Sequence, residues 1–200
     1  MIVIFDLDHT LLNTMKFKKK LAGVFNMSAS KWNMDYKKYF KAKKINYNSK
    51  NYLKILKKEG RIDINKEPKI NSRLKILLNN IDKYLYSGAE DLLKKLKKRG
   101  DKLILASFGN LEWQKEKIGG LKIKKYFNKI ILADKNKHLF LNLLKKNKKD
   151  IIIINDNAQE SFKMKKELGQ GKIYLVHGPY SNNIKHSLKV YSIKDLLKVL

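Results

Sequence analysis

Three places in the chain set acidic or hydroxyl side chains directly after an apolar run: Asp6-Leu-Asp8-His-Thr10, Ser107-Phe-Gly-Asn110 and Asn155-Asp156-Asn157. A lone Asp in such a place is usually a turn or helix cap. Three polar clusters after three similar runs point instead to one shared site. In a tight exit loop, Asp6 and Asp8 would surround one point from two sides, and Asp156 would add a third carboxylate. Packed together, those charges repel and are costly to desolvate. Mg²⁺ relieves that cost, because it takes oxygen ligands and keeps sites for water and phosphate oxygens.

The elements that would position these residues follow from apolar patterning. Met1 to Phe5, Lys102 to Ala106, Lys129 to Ala133, Asp150 to Ile154 and Lys172 to Val176 are short apolar, β-branched runs of the kind buried in parallel sheets. Helical spacing fills most gaps between them. Ser87-Gly-Ala-Glu90 has the form of a capping box opening a helix that closes at Gly100. Leu111 to Ile118 forms a helix ended by Gly119-Gly120, and Lys137 to Lys146 another. Ala158 to Leu168 is stopped by Gly169, and Ser192 caps a last helix, Ile193 to Leu200. Strand alternating with helix predicts an α/β fold: a parallel sheet with helices on both faces. Such sheets bind ligands at the carboxyl ends of their strands, where the three polar clusters fall.

The stretch from about Lys16 to Leu85 has no such strands. Trp32 to Phe40 has helical spacing that places Trp32, Tyr36, Tyr39 and Phe40 near one face. Two further helices are expected, Tyr52 to Lys58 and Ser72 to Tyr84, separated by a break around Gly60 and Pro68. The stretch reads as a helical insertion between the first strand and the rest of the sheet.

Composition narrows the classes. With 43% hydrophobic residues in 200, the chain can bury a core, and the absence of cysteine excludes disulfides, thiolate metal sites and cysteine nucleophiles. Asp6 and Asp8 arrive too soon for a secretory h-region, and no apolar run reaches the ~20 residues that span a bilayer. A soluble cytoplasmic protein without membrane association is therefore expected. The net charge of +28 attracts polyanions. Yet only Arg61, Arg73 and Arg99 are arginines, and the lysines are spread along the whole chain. Dispersed lysines serve as solvated faces, so nucleic acid is an open but unfavoured partner.

Phe5-Asp6-Leu-Asp8-His-Thr10-Leu11 resembles the first signature of the haloacid dehalogenase superfamily, Asp-x-Asp-x-Thr after a strand. Leu105-Ala-Ser107 resembles the second, and Lys135 is chosen for the third, a basic residue before a helix, with Lys137 and Lys129 as competitors. Ile153-Ile-Asn155-Asp156-Asn157 with Glu160 resembles the fourth, although the family often has Gly or Asp at position 155 and Asp at position 160. Trp113-Gln114, Tyr126-Phe127 and Phe140 also fall where phosphatases of the family have similar residues.

The resemblance implies a Rossmann-like core, residues 1–14 and 86–200, with a small helical cap, residues 15–85, inserted after the first strand. It implies that Asp6 is a covalent nucleophile, that Asp8 is the acid and base, and that Ser107 and Lys135 bind the phosphoryl group. It also implies Mg²⁺ held by Asp6, the backbone carbonyl of Asp8, and Asp156. Thr10, Phe108 and Asn110 are candidates for substrate contact, while Thr10 could equally brace its loop and Asn110 cap a helix. His9 could touch substrate, tune Asp8 or fill the loop; His138, His177 and His186 have no metal-ligand spacing. The expected activity is hydrolysis of a small phosphorylated metabolite, since Asp8 can activate water. The alternatives are a phosphotransferase or mutase of the same family, a phosphatase of nucleic-acid ends, or an RNA- or DNA-binding protein.

Overall fold

The computed structural model describes residues 1–134 and 150–200. Among the described residues, six strands form one parallel sheet: β1 (Ile2–Phe5), β2 (Lys102–Phe108), β3 (Lys129–Ala133), β4 (Ile151–Asn155), β5 (Lys172–Val176) and β6 (Val190–Tyr191). Their spatial order is β3-β2-β1-β4-β5-β6, so β1 lies at the centre and the order reverses between β1 and β4. Every strand pair is parallel. The five strands expected from apolar runs are present; β6, of two residues, was too short to leave a pattern.

Strand periodicity sorts the core into two layers. Val3, Phe5, Leu103, Leu105, Ile152 and Ile154 face one apolar cluster. Their neighbours Ile2, Ile4, Ile104, Ile151 and Ile153 face the other. Each fully buried Ile or Leu contributes roughly 1.5–3 kcal/mol, which makes register strongly specified in a strand buried on both faces. Helices α5 (Ala89–Lys98), α6 (Leu111–Gly120) and α8 (Ile193–Val199) contribute buried residues to the first layer. Helix α7 (Ala158–Leu168) contributes Ala158, Met164 and Leu168 to the second.

Between β1 and α5 lie four more helices: α1 (Thr14–Val24), α2 (Ala29–Tyr36), α3 (Ser49–Lys58) and α4 (Glu67–Asn79). Sequence patterning did not resolve α1. The outgoing and returning strands of this excursion run side by side: Leu12 pairs antiparallel with Leu85, and Tyr86 N–H donates to Leu11 O at 2.9 Å. The excursion also touches the sheet end directly. Asn48 Nδ2 donates to Asn110 Oδ1 and Glu112 Oε2, both at 3.0 Å, and Lys50 Nζ lies 3.0 Å from Glu116 Oε1.

Local details depart from expectation in four places. Helix α5 has no capping box; Gly88, in the left-handed conformation, occupies the N-cap and no side chain caps the helix. Gly119 and Gly120 do not end α6 but complete it, because a Cβ at Gly120 would lie 2.1 Å from Leu78 O on α4. Trp32 to Phe40 is not one α-helix: α2 gives way to a π-helical turn at Lys37–Lys41. Tyr39 consequently leaves the aromatic face to bond Glu59 Oε1 at 2.5 Å, while Trp32, Tyr36 and Phe40 remain stacked. Pro68 does not break the chain but starts α4, where its missing N–H is unneeded. The helix expected at Lys137 to Lys146 lies outside the described residues.

Candidate active site

The exit of β1 is a tight loop. Leu7 O accepts from the backbone N–H groups of Thr10, Leu11 and Leu12, and His9 adopts a left-handed φ of 62°. Such a conformation in a non-glycine residue is uncommon and clusters at functional sites. It turns Asp6 and Asp8 in different directions.

Asp6 faces the reversal point of the sheet. Thr10 Oγ1 donates to Asp6 Oδ2 at 3.3 Å and accepts from the backbone N–H of Asp156 at 3.0 Å. One hydroxyl thus ties the ends of β1 and β4 together. Thr10 is fully buried and is not part of the cavity wall; its bonds make it a brace. Asp156 is buried at the end of β4, with Gly178 against it: a Cβ there would lie 2.5 Å from Asp156 Oδ2. Glu160, in the first turn of α7, accepts from Asn155 Nδ2 at 2.8 Å. Ser107, near the end of β2, is 1% exposed, and its Oγ has no hydrogen-bond partner among the described residues. A buried hydroxyl in that state is poised for a ligand atom.

Asp8 looks the other way, into a cavity of about 350 Å³. Lys117 Nζ lies 2.5 Å from Asp8 Oδ2, Gln114 Nε2 donates to the same oxygen at 3.2 Å, and Thr14 Oγ1 donates to Oδ1 at 2.9 Å. Burial alone would raise the Asp8 carboxyl, but the Lys117 cation and the three hydrogen bonds outweigh it and hold it well below the usual carboxylate range. His9 is pushed down to about 4, chiefly by burial, then by the nearby Lys18 cation, and is neutral at pH 7. Its ring packs edge-on against Tyr180.

Phe108 and Asn110 both line this cavity. Asn110 also caps α6, accepting from the Trp113 backbone N–H at 3.0 Å. Lys135 and its competitor Lys137 lie outside the described residues. Lys129 opens β3 at the amino end of the sheet, away from Asp6, Ser107 and Asp156. Lys117, Gln114 as a partner of Asp8, and Lys18 were not singled out from sequence. The signal for Lys117 was present: it shares the buried face of α6 with Trp113, Gln114 and Ile118.

Among the described residues, no three His, Cys, Asp or Glu side chains gather as a metal-holding group. Asp8's carboxylate is turned to Lys117, which leaves two carboxylates at the reversal point. Asp6 and Asp156, tied through Thr10, form an oxygen-only donor pair, to which a backbone carbonyl of the β1 loop can be added. That hard set fits Mg²⁺.

A doubly wound sheet with paired carboxylates at its reversal point defines an α/β enzyme whose chemistry lies at the carboxyl ends of the strands. Residues 3–169 match the family model described as haloacid dehalogenase-like hydrolase. The chain belongs to that family and is an enzyme of it. Solved structures share the fold. A protein from Burkholderia xenovorans LB400, provisionally described as a haloacid dehalogenase-like hydrolase, matches with TM-score 0.68 at 19% identity, covering 98% of this chain and 94% of its own. A Thermotoga maritima protein provisionally described as a β-phosphoglucomutase gives 0.61 at 18%, covering 100% and 98%. A Haemophilus somnus 129pt protein provisionally described as a phosphoglycolate phosphatase gives 0.58 at 17%, covering 99% and 96%. No curated protein matches the chain at a significant level.

Proposed function

We propose that the chain is a Mg²⁺-dependent phosphohydrolase that cleaves a small phosphate monoester through an aspartyl-phosphate on Asp6. The observation that carries this reading is the convergence at adjacent strand ends of Asp6, Asp156 and the Ser107 hydroxyl, which has no hydrogen-bond partner among the described residues, with Thr10 bonding the first two. Asp6, Asp156 and the Asp8 carbonyl would hold the metal, which supplies charge neutralisation so that the phosphate dianion can approach a carboxylate.

In the first half-reaction an Asp6 oxygen attacks phosphorus, and the bond to the leaving oxygen breaks as Asp8 protonates it. In the second, Asp8 takes a proton from water, which attacks the aspartyl-phosphate and frees inorganic phosphate. Ser107 Oγ donates to a phosphoryl oxygen, and Lys135 would add a cation beside it. The Lys117 pairing favours the ionised, base form of Asp8. The acid form needs that pairing to loosen as substrate fills the cavity. Residues 15–85 serve as a cap, of which α1, α2 and the segment at Asn46 and Tyr47 wall the cavity and exclude water.

A panel of phosphate esters assayed with Mg²⁺, with EDTA and with Asp6→Asn tests this reading. Turnover that requires both metal and Asp6 supports it. A folded, metal-loaded protein that releases no phosphate from any ester would refute hydrolysis and favour phosphoryl transfer.

A further inference from the structure

Gln114 lies on α6 and is 5% exposed, and its amide bridges two parts of the site. Nε2 donates to Phe108 O at 2.7 Å and to Asp8 Oδ2 at 3.2 Å. Phe108 directly follows Ser107 at the end of β2, so one amide joins the backbone beside the Ser107 hydroxyl to the Asp8 carboxylate. That loop is fixed on its other side, where Gly109 N–H donates to Ala133 O on β3 at 2.8 Å. Gly109 has a φ of 142°, and a Cβ there would lie 2.7 Å from Gln114 Nε2. Only glycine lets the backbone close over the amide in this way.

The amide is oriented by its partners. Both neighbours of Nε2 are acceptors, so the NH₂ end must face them. Oε1 is left buried and without a hydrogen-bond partner among the described residues, which is destabilising. An apolar side chain of similar length would fill the buried face of α6 without that penalty. The use of an amide here therefore lies in what Nε2 holds.

The three donors to Asp8 differ in kind. Thr14, six positions along the chain, ties the carboxylate to its own segment and not to β2. Lys117 is a cation and favours the ionised carboxylate. A neutral amide N–H bonds an oxygen of a carboxylate or of a carboxylic acid alike. Gln114 can thus keep its hold while Asp8 gives up a proton and takes one back.

We infer that Gln114 is a positioning residue for the phosphoryl transfer: anchored on Phe108 O, it registers the Asp8 carboxyl against the Ser107 loop, within reach of the leaving oxygen. This rests on the phosphohydrolase reading and adds to it. In the step that it serves, an Asp6 oxygen bonds phosphorus, the bond from phosphorus to the leaving oxygen breaks, and the Asp8 proton passes to that oxygen. Displacing a reacting group by about 1 Å can cost about a hundredfold in rate.

The probes are benzyl phosphate and p-nitrophenyl phosphate, which are similar in size. Benzyl alcohol would leave as an alkoxide unless protonated, whereas p-nitrophenolate is stable without a proton. Single-turnover release of the alcohol or phenolate by the intact enzyme with Mg²⁺ separates this step from hydrolysis of the aspartyl-phosphate. Gln114→Met keeps the side-chain length and removes both bonds. It should slow benzyl alcohol release by about tenfold to a hundredfold and p-nitrophenolate release by no more than about threefold. A merely structural role would slow both alike. Urea melts of the metal-free protein read the contact without turnover: the midpoint losses of Gln114→Met and Asp8→Ala should combine to less than their sum. Should Gln114→Met not fold, Gln114→Asn, which draws the amide back by one methylene, replaces it in both measurements. Equal slowing of the two esters, no slowing of either, or additive midpoint losses overturns the positioning role and leaves the phosphohydrolase intact. A wild type that cleaves the nitrophenyl ester alone also overturns it, because no proton then reaches the leaving oxygen. A wild type that cleaves neither ester refutes the phosphohydrolase, and the role falls with it.

Discussion

Replacing Lys117 by Met removes a cation and keeps most of the side-chain volume, leaving Asp8 with one strong partner fewer. Lys117 is 4% exposed and Asp8 26%. Breaking a fully buried pair costs about 3–5 kcal/mol. Water reaches the exposed quarter of Asp8 and returns part of that, so the expected loss is about 2–3 kcal/mol. For a chain of this length, that lowers the melting temperature by roughly 4–12 °C. Urea melts of the metal-free protein should show the midpoint fall with an unchanged slope. The second arm is Asp8→Asn, alone and combined with Lys117→Met. If the ion pair is the dominant interaction of both groups, the double variant loses about 2 kcal/mol less than the sum of the singles. The sign with pH follows from the depressed Asp8 carboxyl: the stabilisation is complete above its unfolded value of 3.8 and disappears as pH falls through the lower folded value. Without Lys117, burial acts on the Asp8 carboxyl against only the Gln114 and Thr14 hydrogen bonds, so the variant takes up its proton at a higher pH than wild type and the difference should be largest at neutral pH and narrow as pH falls toward and below 3.8. Additive single and double losses, or a difference that does not narrow on acidification, would refute the account.

Gly120→Ala should cost more than about 2 kcal/mol in urea melts, because its Cβ would meet the Leu78 backbone oxygen at 2.1 Å. Gly119→Ala, one residue earlier with nothing within 4 Å, should instead stabilise by about 0.5–1 kcal/mol. Gly178→Ala pushes a methyl into Asp156, so the Mg²⁺ concentration for half-maximal turnover should rise by roughly tenfold or more, alongside a loss of stability in urea melts. Asp35 accepts from Tyr52 Oη and Arg61, each at 2.6 Å; burial opposes its ionisation, but these bonds prevail and hold its carboxyl below 3.8. Its stabilisation is present above 3.8 and lost as pH falls through the folded value, so Asp35→Asn should cost about 2 kcal/mol at neutral pH and flatten the acid limb of stability against pH.

The sheet and the polar ends of its strands were legible because a parallel strand buried on both faces needs an unbroken apolar run. Asp6, Ser107 and Asp156 stand out where those runs stop. Local patterning was weaker wherever tertiary contact decided the outcome. Gly119-Gly120 reads as a helix stop, yet the close approach of α4 makes glycine a packing requirement inside α6. Trp32 to Phe40 reads as one face, yet the π-helical turn sends Tyr39 to Glu59. The most consequential omission was Lys117, 109 positions from the carboxylate it holds. Its charge was camouflaged, since 43 of the 46 basic residues are lysines and most face solvent. What separates Lys117 from them is its place beside Trp113, Gln114 and Ile118 on a helix face that otherwise goes inward. A lysine on such a face must snorkel out or meet a buried anion. In so basic a chain, the informative lysine is the one that breaks the apolar stripe of its helix, and the carboxylate it answers is the one to look for at a strand end.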